Sequence, residues 1–306
     1  MKKAFWFSLF AAIGLAVYGQ APKKAPANNN TLLWRISGKN LTKPSYLFGT
    51  MHLLCADDIQ LSDSLTNAIQ NADNVYLELD MDNLFEMVSA MGKMKMRNDT
   101  TLADLLTKDE YERVKAFFKA NSTLIPFAML ETFKPLLSAS MIMEQQAGKC
   151  DNMISMEQLI MQESKKNGVG IKGMETMEYQ MSIFDSIPYG FQAKQLVKMI
   201  NADKKEDENE MKLMTEAYRN QQLDKMEEMT KKEDIGMQNF TDLLLYNRNV
   251  AWARKLETLL GDKSLVIAVG AGHLPGDKGV INLLRKAGYR VDPVKNDMIK
   301  KKTKEI

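Results

Sequence analysis

Hydrophobic positions along the chain switch repeatedly between alternating and helical spacing. Near the start, the short runs "LLWRIS" (32–37) and "SYLFGT" (45–50) flank the turn-like "GKNLTKP", which predicts a β-hairpin. A helix near 60–73 follows, then "NVYLELD" (74–80), where Val75, Leu77 and Leu79 alternate with Tyr76, Glu78 and Asp80 as on a strand. From about 82 to 168 the apolar spacing becomes helical, with segments at 82–96, 108–120, 130–146 and 154–167. "GVGIKGM" (168–174) reads as a further strand, and long helices resume at 176–202, 206–232 and 241–260. The end returns to alternation, with a strand at 264–269, a helix at 278–287 and a strand at 289–294. The expected fold is α/β: a central mixed sheet formed from strands at both ends of the chain, with a large helical middle region, in one domain over 32–294.

The ends of the chain read differently. "MKKAFWFSLFAAIGLAVYGQ" has two lysines and then an apolar stretch closing on small residues, the pattern of a signal peptide over 1–19. Residues 20–31 form a polar, Pro- and Asn-rich linker, and 295–306 a basic tail. An exported protein, periplasmic or extracellular, is expected, with no stable membrane span after signal cleavage. Losing Lys2 and Lys3 takes the formal charge from +2 to zero, so bulk charge gives no sign of nucleic-acid binding. Export also places Cys55 and Cys150, the only cysteines, where a disulfide persists, and pairing then depends on a Cα separation that sequence does not supply. The 23 methionines, many at helical spacing, read as core filler, with an adaptable apolar surface as the alternative.

Candidate chemistry gathers where apolar runs end. The chain has two histidines, His52 in "GTMH" and His273 in "GAGH", each three residues after a glycine at a strand end and each followed by leucine. In an open α/β sheet, ligands bind at the carboxyl ends of strands, where Glu78 and Glu175 also fall. Gly49, Gly270 and Gly272 are expected to let the chain turn sharply there. Two imidazoles with carboxylates suit Mn, Zn, Co or Fe and leave positions open for water, which a metal makes acidic enough to attack a carbonyl. The expected metal ligands are His52, His273 and a carboxylate, with Glu78 or Glu175 as base. In "LLLYNRNVAWARKLETLL", Arg248 is a candidate for binding a substrate carboxylate or oxyanion and Asn249 a neutral donor. Spacing alone equally suits a surface ion pair at Arg248 with Trp252 packed below.

"YLFGTMHLL", "VYLELD", "GMETMEYQ", "LLLYNRNVAWARKLETLL" and "IAVGAGHLPGDKGVINLLRKAGYRV" resemble, in order and approximate spacing, the TraB/GumN family, which includes the TIKI proteins. The resemblance covers about 32–294 and implies a fold like that of erythromycin esterases and ChaN-like proteins. It implies a metal-dependent, protease-like hydrolase acting on a peptide or protein, supported by manganese or cobalt. Its active-site residues would fall on His52, Glu78 and His273, with Glu175, Arg248 and Asn249 in the same cleft. The alternatives are an esterase using the same site and a non-catalytic protein binding haem, metal or a small ligand.

Overall fold

The structure is a computed structural model describing residues 30–299 except 58, 122–124, 147–149, 151, 203 and 233–236. The expected signal peptide, most of the linker and the tail from 300 onward lie outside the described residues. Strands β1 (Leu33–Ser37) and β2 (Ser45–Thr50) form the expected antiparallel hairpin, Leu33 opposite Phe48 and Arg35 opposite Tyr46. The short β3 (Leu54–Cys55), helix α1 (Asp63–Gln70) and β4 (Asn74–Leu77) follow. Next come α2 (Leu84–Met91), α3 (Leu102–Leu105), α4 (Lys108–Ala120), α5 (Phe127–Leu130) and α6 (Pro135–Gln146). The chain then runs through β5 (Met153–Ile154), α7 (Met156–Lys166), β6 (Gly170–Gly173), α8 (Met177–Phe184) and α9 (Tyr189–Asn201). It closes with α10 (Lys204–Arg219), α11 (Leu223–Lys232), α12 (Asn247–Leu259), β7 (Leu265–Gly270), α13 (Val280–Lys286) and β8 (Arg290–Pro293).

The fold is mixed α/β, as expected. Six strands lie in the order β6-β4-β7-β2-β1-β8, so the two ends of the chain interleave in one sheet. Neighbours among β6, β4, β7 and β2 are parallel, while β1 is antiparallel to both β2 and β8. In β7, "LVIAVG", the first five residues are buried without alternation, because elements cover both faces of a central parallel strand. The main core wraps this sheet, with Phe48, Leu77, Ile267 and Trp252 among its members. The helical middle has a second core, built from Leu102, Val114, Phe118, Leu130, Ile142 and Leu196.

Several expected helices divide. The segment 176–202 is α8 and α9, because Pro188 has no amide hydrogen to donate to a continuing helix and instead precedes the first turn of α9. The segment 206–232 breaks at Gln221, whose φ of 57° is left-handed, and 130–146 gives way to α5 and then α6, which opens at Pro135. The first residues of 154–167 pair as β5 before α7 begins, and 241–260 opens with a π-helical turn, Asp242–Tyr246, ahead of α12. The methionines divide as well. Met96, Met156, Met174, Met226 and Met298 are core residues, whereas Met81, Met91 and Met129 are exposed, Met91 on α2 beside exposed Leu84, Phe85 and Val88.

Cys55 and Cys150 form a disulfide across 95 residues of sequence. It lies against the two-stranded β3–β5 sheet, where Leu54 pairs with Ile154 and Cys55 with Met153. Closing a loop of that length in the unfolded chain stabilises the fold by about 4–5 kcal/mol on the chain-entropy account. Urea unfolding with and without reductant should show a loss of that order. A shift below about 1 kcal/mol would show that the bridge adds nothing to what the β3–β5 pairing already holds.

Candidate active site

Parallel strands put their carboxyl ends on one edge. Leu77 of β4 lies opposite Gly173 of β6 and Ala268 of β7, and Thr50 of β2 opposite Gly270 of β7. Glu78 therefore begins the turn after β4 rather than lying within a strand. Glu175 comes two residues after β6, His273 three after Gly270, and His52 two after Thr50. All four leave the same edge of the sheet, where such folds bind ligands.

Arg248 joins three of these chain segments. It is buried in the first turn of α12, and its five N–H donors are all engaged. Nε donates to Glu175 Oε1 at 3.0 Å, and Nη2 to Glu78 Oε2 at 2.5 Å and Glu175 Oε1 at 2.6 Å. Nη1 donates to the Leu244 carbonyl at 2.9 Å, inside the π-helical turn, and faces His273 Nε2 at 3.2 Å. The expected surface ion pair is thus replaced by a buried one whose carboxylates come from other elements. Trp252, one helical turn on, packs under the guanidinium at 4.7 Å, stacks at 4.5 Å on the His273 ring and donates its indole N–H to Glu175 Oε2 at 3.1 Å. Gln180 of α8 donates to both carboxylates.

Glu175 is consequently saturated by Arg248, Trp252 and Gln180. Glu78 is not. Among the described residues its Oε1 accepts only the Gly270 amide, at 2.8 Å, and it lies 3.7 Å from His273 Nε2. Burial acts to raise the Glu78 carboxyl, but the charge of His273 when that ring is protonated, the Arg248 guanidinium and the Gly270 N–H hold it below the usual carboxylate range. Burial also pushes His273 down to about 4, against the pull of Glu78, so the ring is neutral near pH 7. Asn249 settles its tautomer. The amide nitrogen donates to the Lys278 and His273 carbonyls, which turns Oδ1 to His273 Nδ1 at 2.6 Å. Nδ1 carries the hydrogen, and the Nε2 lone pair faces Arg248 and Glu78. Asn249, expected as a donor to substrate, instead orients His273.

His52 stands apart from this cluster. Its side chain is 70% exposed, and Nδ1 lies 3.1 Å from Oε1 of Glu157, a half-buried residue in the first turn of α7 whose carboxylate oxygens are both out of solvent. Among the described residues no group of three or more His, Cys, Asp or Glu side chains stands close enough to hold a metal ion. The structure thus brings Glu78 and His273 side by side and places His52 on the adjacent strand end with a different carboxylate. The glycines differ from expectation too. Gly49, Gly270 and Gly272 are absent from the positive-φ positions, so they do not serve as left-handed turns. Gly270 and Gly49 are needed for space, since a Cβ on Gly270 would lie 3.2 Å from Glu78 Oε1 and one on Gly49 3.1 Å from Ala271, whereas a Cβ on Gly272 would meet nothing within 4 Å. Sequence reasoning missed Gln180 and the polar role of Trp252, for which the signals are "METMEYQ" and the one-turn spacing from Arg248. For Glu157 the sequence offers no signal, since its partner is 105 positions away.

The family model for the TraB/PrgY/gumN family matches residues 32–293, nearly the whole described domain. The chain belongs to the TraB/PrgY/gumN family. Curated relatives include metalloprotease TIKI2 of Danio rerio, 22% identical over 336 residues that cover 86% of this chain and 61% of that protein. TIKI2 of Xenopus tropicalis is 24% identical, covering 88% and 61%, and TIKI1 of Xenopus tropicalis 23% identical, covering 88% and 62%. This family member therefore spans about three fifths of the length of those relatives. No solved structure shows a significant match to it.

Two outcomes follow from the geometry. Replacing Arg248 by Ala leaves Glu78 and Glu175 buried without their counter-charge and should cost roughly 3–5 kcal/mol in urea unfolding, with Arg248→Lys recovering only part because an ammonium cannot reproduce the fork. The depressed His273 value makes the unfolded chain bind the extra proton between pH 6.5 and about 4. Stability should therefore be full above pH 6.5 and fall by ~3 kcal/mol as pH drops through that window, and His273→Asn should flatten that part of the profile.

Proposed function

We propose that the chain is an exported metal-dependent hydrolase acting on peptides or proteins. The observation carrying the reading is the Glu78–His273 pair: a carboxylate held ionised with one oxygen directed at a neutral imidazole whose Nε2 lone pair is set for ligation. The family and its relatives named metalloproteases agree with it. A divalent cation fits the donor chemistry at this strand edge, since neutral imidazole nitrogen and carboxylate oxygen suit Mn, Co or Zn. His273 and Glu78 would hold it, with His52 from the adjacent strand end as the third ligand. When bound, such an ion polarises a scissile carbonyl and acidifies water.

The residues themselves divide the work. Glu78 serves as ligand or as general base, not both through its one available oxygen, and suits either role better than Glu175, because Oε1 has one N–H partner among the described residues whereas both oxygens of Glu175 are occupied. Glu175 instead holds Arg248, and Arg248 holds Glu78 in place against the Gly270 amide. With all five donors engaged, the guanidinium positions carboxylates; binding substrate would require it to release one. Asn249 keeps His273 in the Nδ1–H form.

Elemental mass spectrometry on purified mature protein, beginning near Gln20, should find a stoichiometric divalent metal that is lost in His52→Ala and His273→Ala. Glu78→Gln should lower peptide hydrolysis by roughly 10²–10⁴-fold. Wild type that stays metal-free after incubation with Mn, Co and Zn would sink the metal reading. Bound metal without turnover on peptides or esters would point to a ligand-binding protein.

A further inference from the structure

The buried carboxylate of Glu157 is not explained by the helix it belongs to. The start of α7 is already closed by a reciprocal cap, in which Ser155 accepts from the Gln158 amide and the Gln158 side chain accepts from Ser155 N–H. Burying a carboxylate costs several kcal/mol unless a partner offsets it. The side chains meeting this one are His52 and Thr50, both from the carboxyl end of β2.

The chain on either side of His52 is fastened to the segment that carries Glu157. Met51 accepts from the Met156 amide at 3.1 Å, and Ala56 donates to the Asn152 carbonyl at 2.9 Å. Between these lie the β3–β5 pairing and the Cys55–Cys150 disulfide. The first GxxH turn and the head of α7 therefore form one unit, with the His52–Glu157 contact at its centre.

An ionised carboxylate only accepts hydrogen bonds, so a partner imidazole nitrogen carries the hydrogen. His273 Nδ1 and Asn249 Oδ1 make a 2.6 Å hydrogen bond, whereas His52 Nδ1 lies 3.1 Å from Glu157 Oε1 in an ion-pair contact; both Glu157 oxygens are out of solvent and without a hydrogen-bond donor among the described residues, a need that a small turn of the exposed His52 ring would meet. We propose that Glu157 is the positioning residue of His52, setting the first GxxH imidazole in the Nδ1–H form through a carboxylate as Asn249 sets the second through an amide. Both histidines then present Nε2 at the ends of adjacent parallel strands. Outer partners of this kind orient ligating histidines in metal sites and affect affinity by about 10–100-fold. The metal use of this pairing rests on the hydrolase reading; the tautomer does not.

The test uses untagged mature protein labelled with ¹⁵N-histidine, metal-free at pH 8.5, where two histidines give a spectrum assignable with His52→Gln alone. Long-range ¹H–¹⁵N correlations should show both rings as Nδ1–H in wild type. In Glu157→Ala, His52 should move to the Nε2–H-rich mixture of free histidine while His273 stays unchanged, and Glu157→Gln, which keeps an accepting oxygen, should restore Nδ1–H. If truncation unfolds the chain, His273 signals collapse to random-coil positions as well, and Glu157→Met, close in volume, takes its place. A His52 ring that is Nε2–H in wild type, or unaltered by Glu157→Ala or Glu157→Met, overturns the proposal. Titration with Mn²⁺, Co²⁺ and Zn²⁺ separates the two readings: a 10–100-fold weaker Kd in Glu157→Met extends the role to metal, whereas a wild type that binds none of the three defeats the hydrolase reading and leaves the tautomer result standing.

Discussion

A single buried guanidinium makes this site possible. Glu78 and Glu175 end two neighbouring strands of one sheet, and two carboxylates drawn from water at that distance would repel each other and resist ionisation. Arg248 enters from a different helix and gives each a directed hydrogen bond. A lysine could supply the charge but not the fork that reaches two carboxylates, a backbone carbonyl and an imidazole at once. The π-helical turn ahead of α12 belongs to the same arrangement, because it places the Leu244 carbonyl against Nη1. Such turns are commonly found at functional sites.

The two histidines, alike in sequence, sit in unlike surroundings. His273 is enclosed by Trp252, Arg248 and Glu78, and burial keeps it neutral. His52 is largely open to solvent, and its rigidity comes instead from the backbone around it, tied to the head of α7 by hydrogen bonds, a short sheet and a disulfide. One half of the edge is ordered by side-chain packing, the other by a stapled loop.

The course of the fold was legible because periodicity reports local structure. The hairpin of β1 and β2, the full length of α4 and the apolar run of β7 all appear where the pattern put them. Where the pattern failed, it ran through breaks that keep the hydrophobic spacing but change the backbone: Pro188 ahead of α9, the left-handed Gln221 between α10 and α11, and Pro135 at the head of α6. At Gly49 and Gly270 a further need is invisible to local pattern: the approach of Ala271 and Glu78 to a bare backbone.

By itself the sequence determined the elements, the family motifs and the short set of polar residues at strand ends, since each of these is a local property of a few consecutive positions. Only the tertiary structure decided who partners whom. It joined Arg248 to carboxylates 73 and 170 positions away, gave Asn249 the task of orienting His273, and set Glu157 beneath His52. Those pairings depend on strand order and on the parallel alignment of β2, β7, β4 and β6, which no local pattern encodes. The physical reason is that burial is a collective property. A carboxylate's partner, and with it its chemistry, is selected only when the sheet closes and water is excluded.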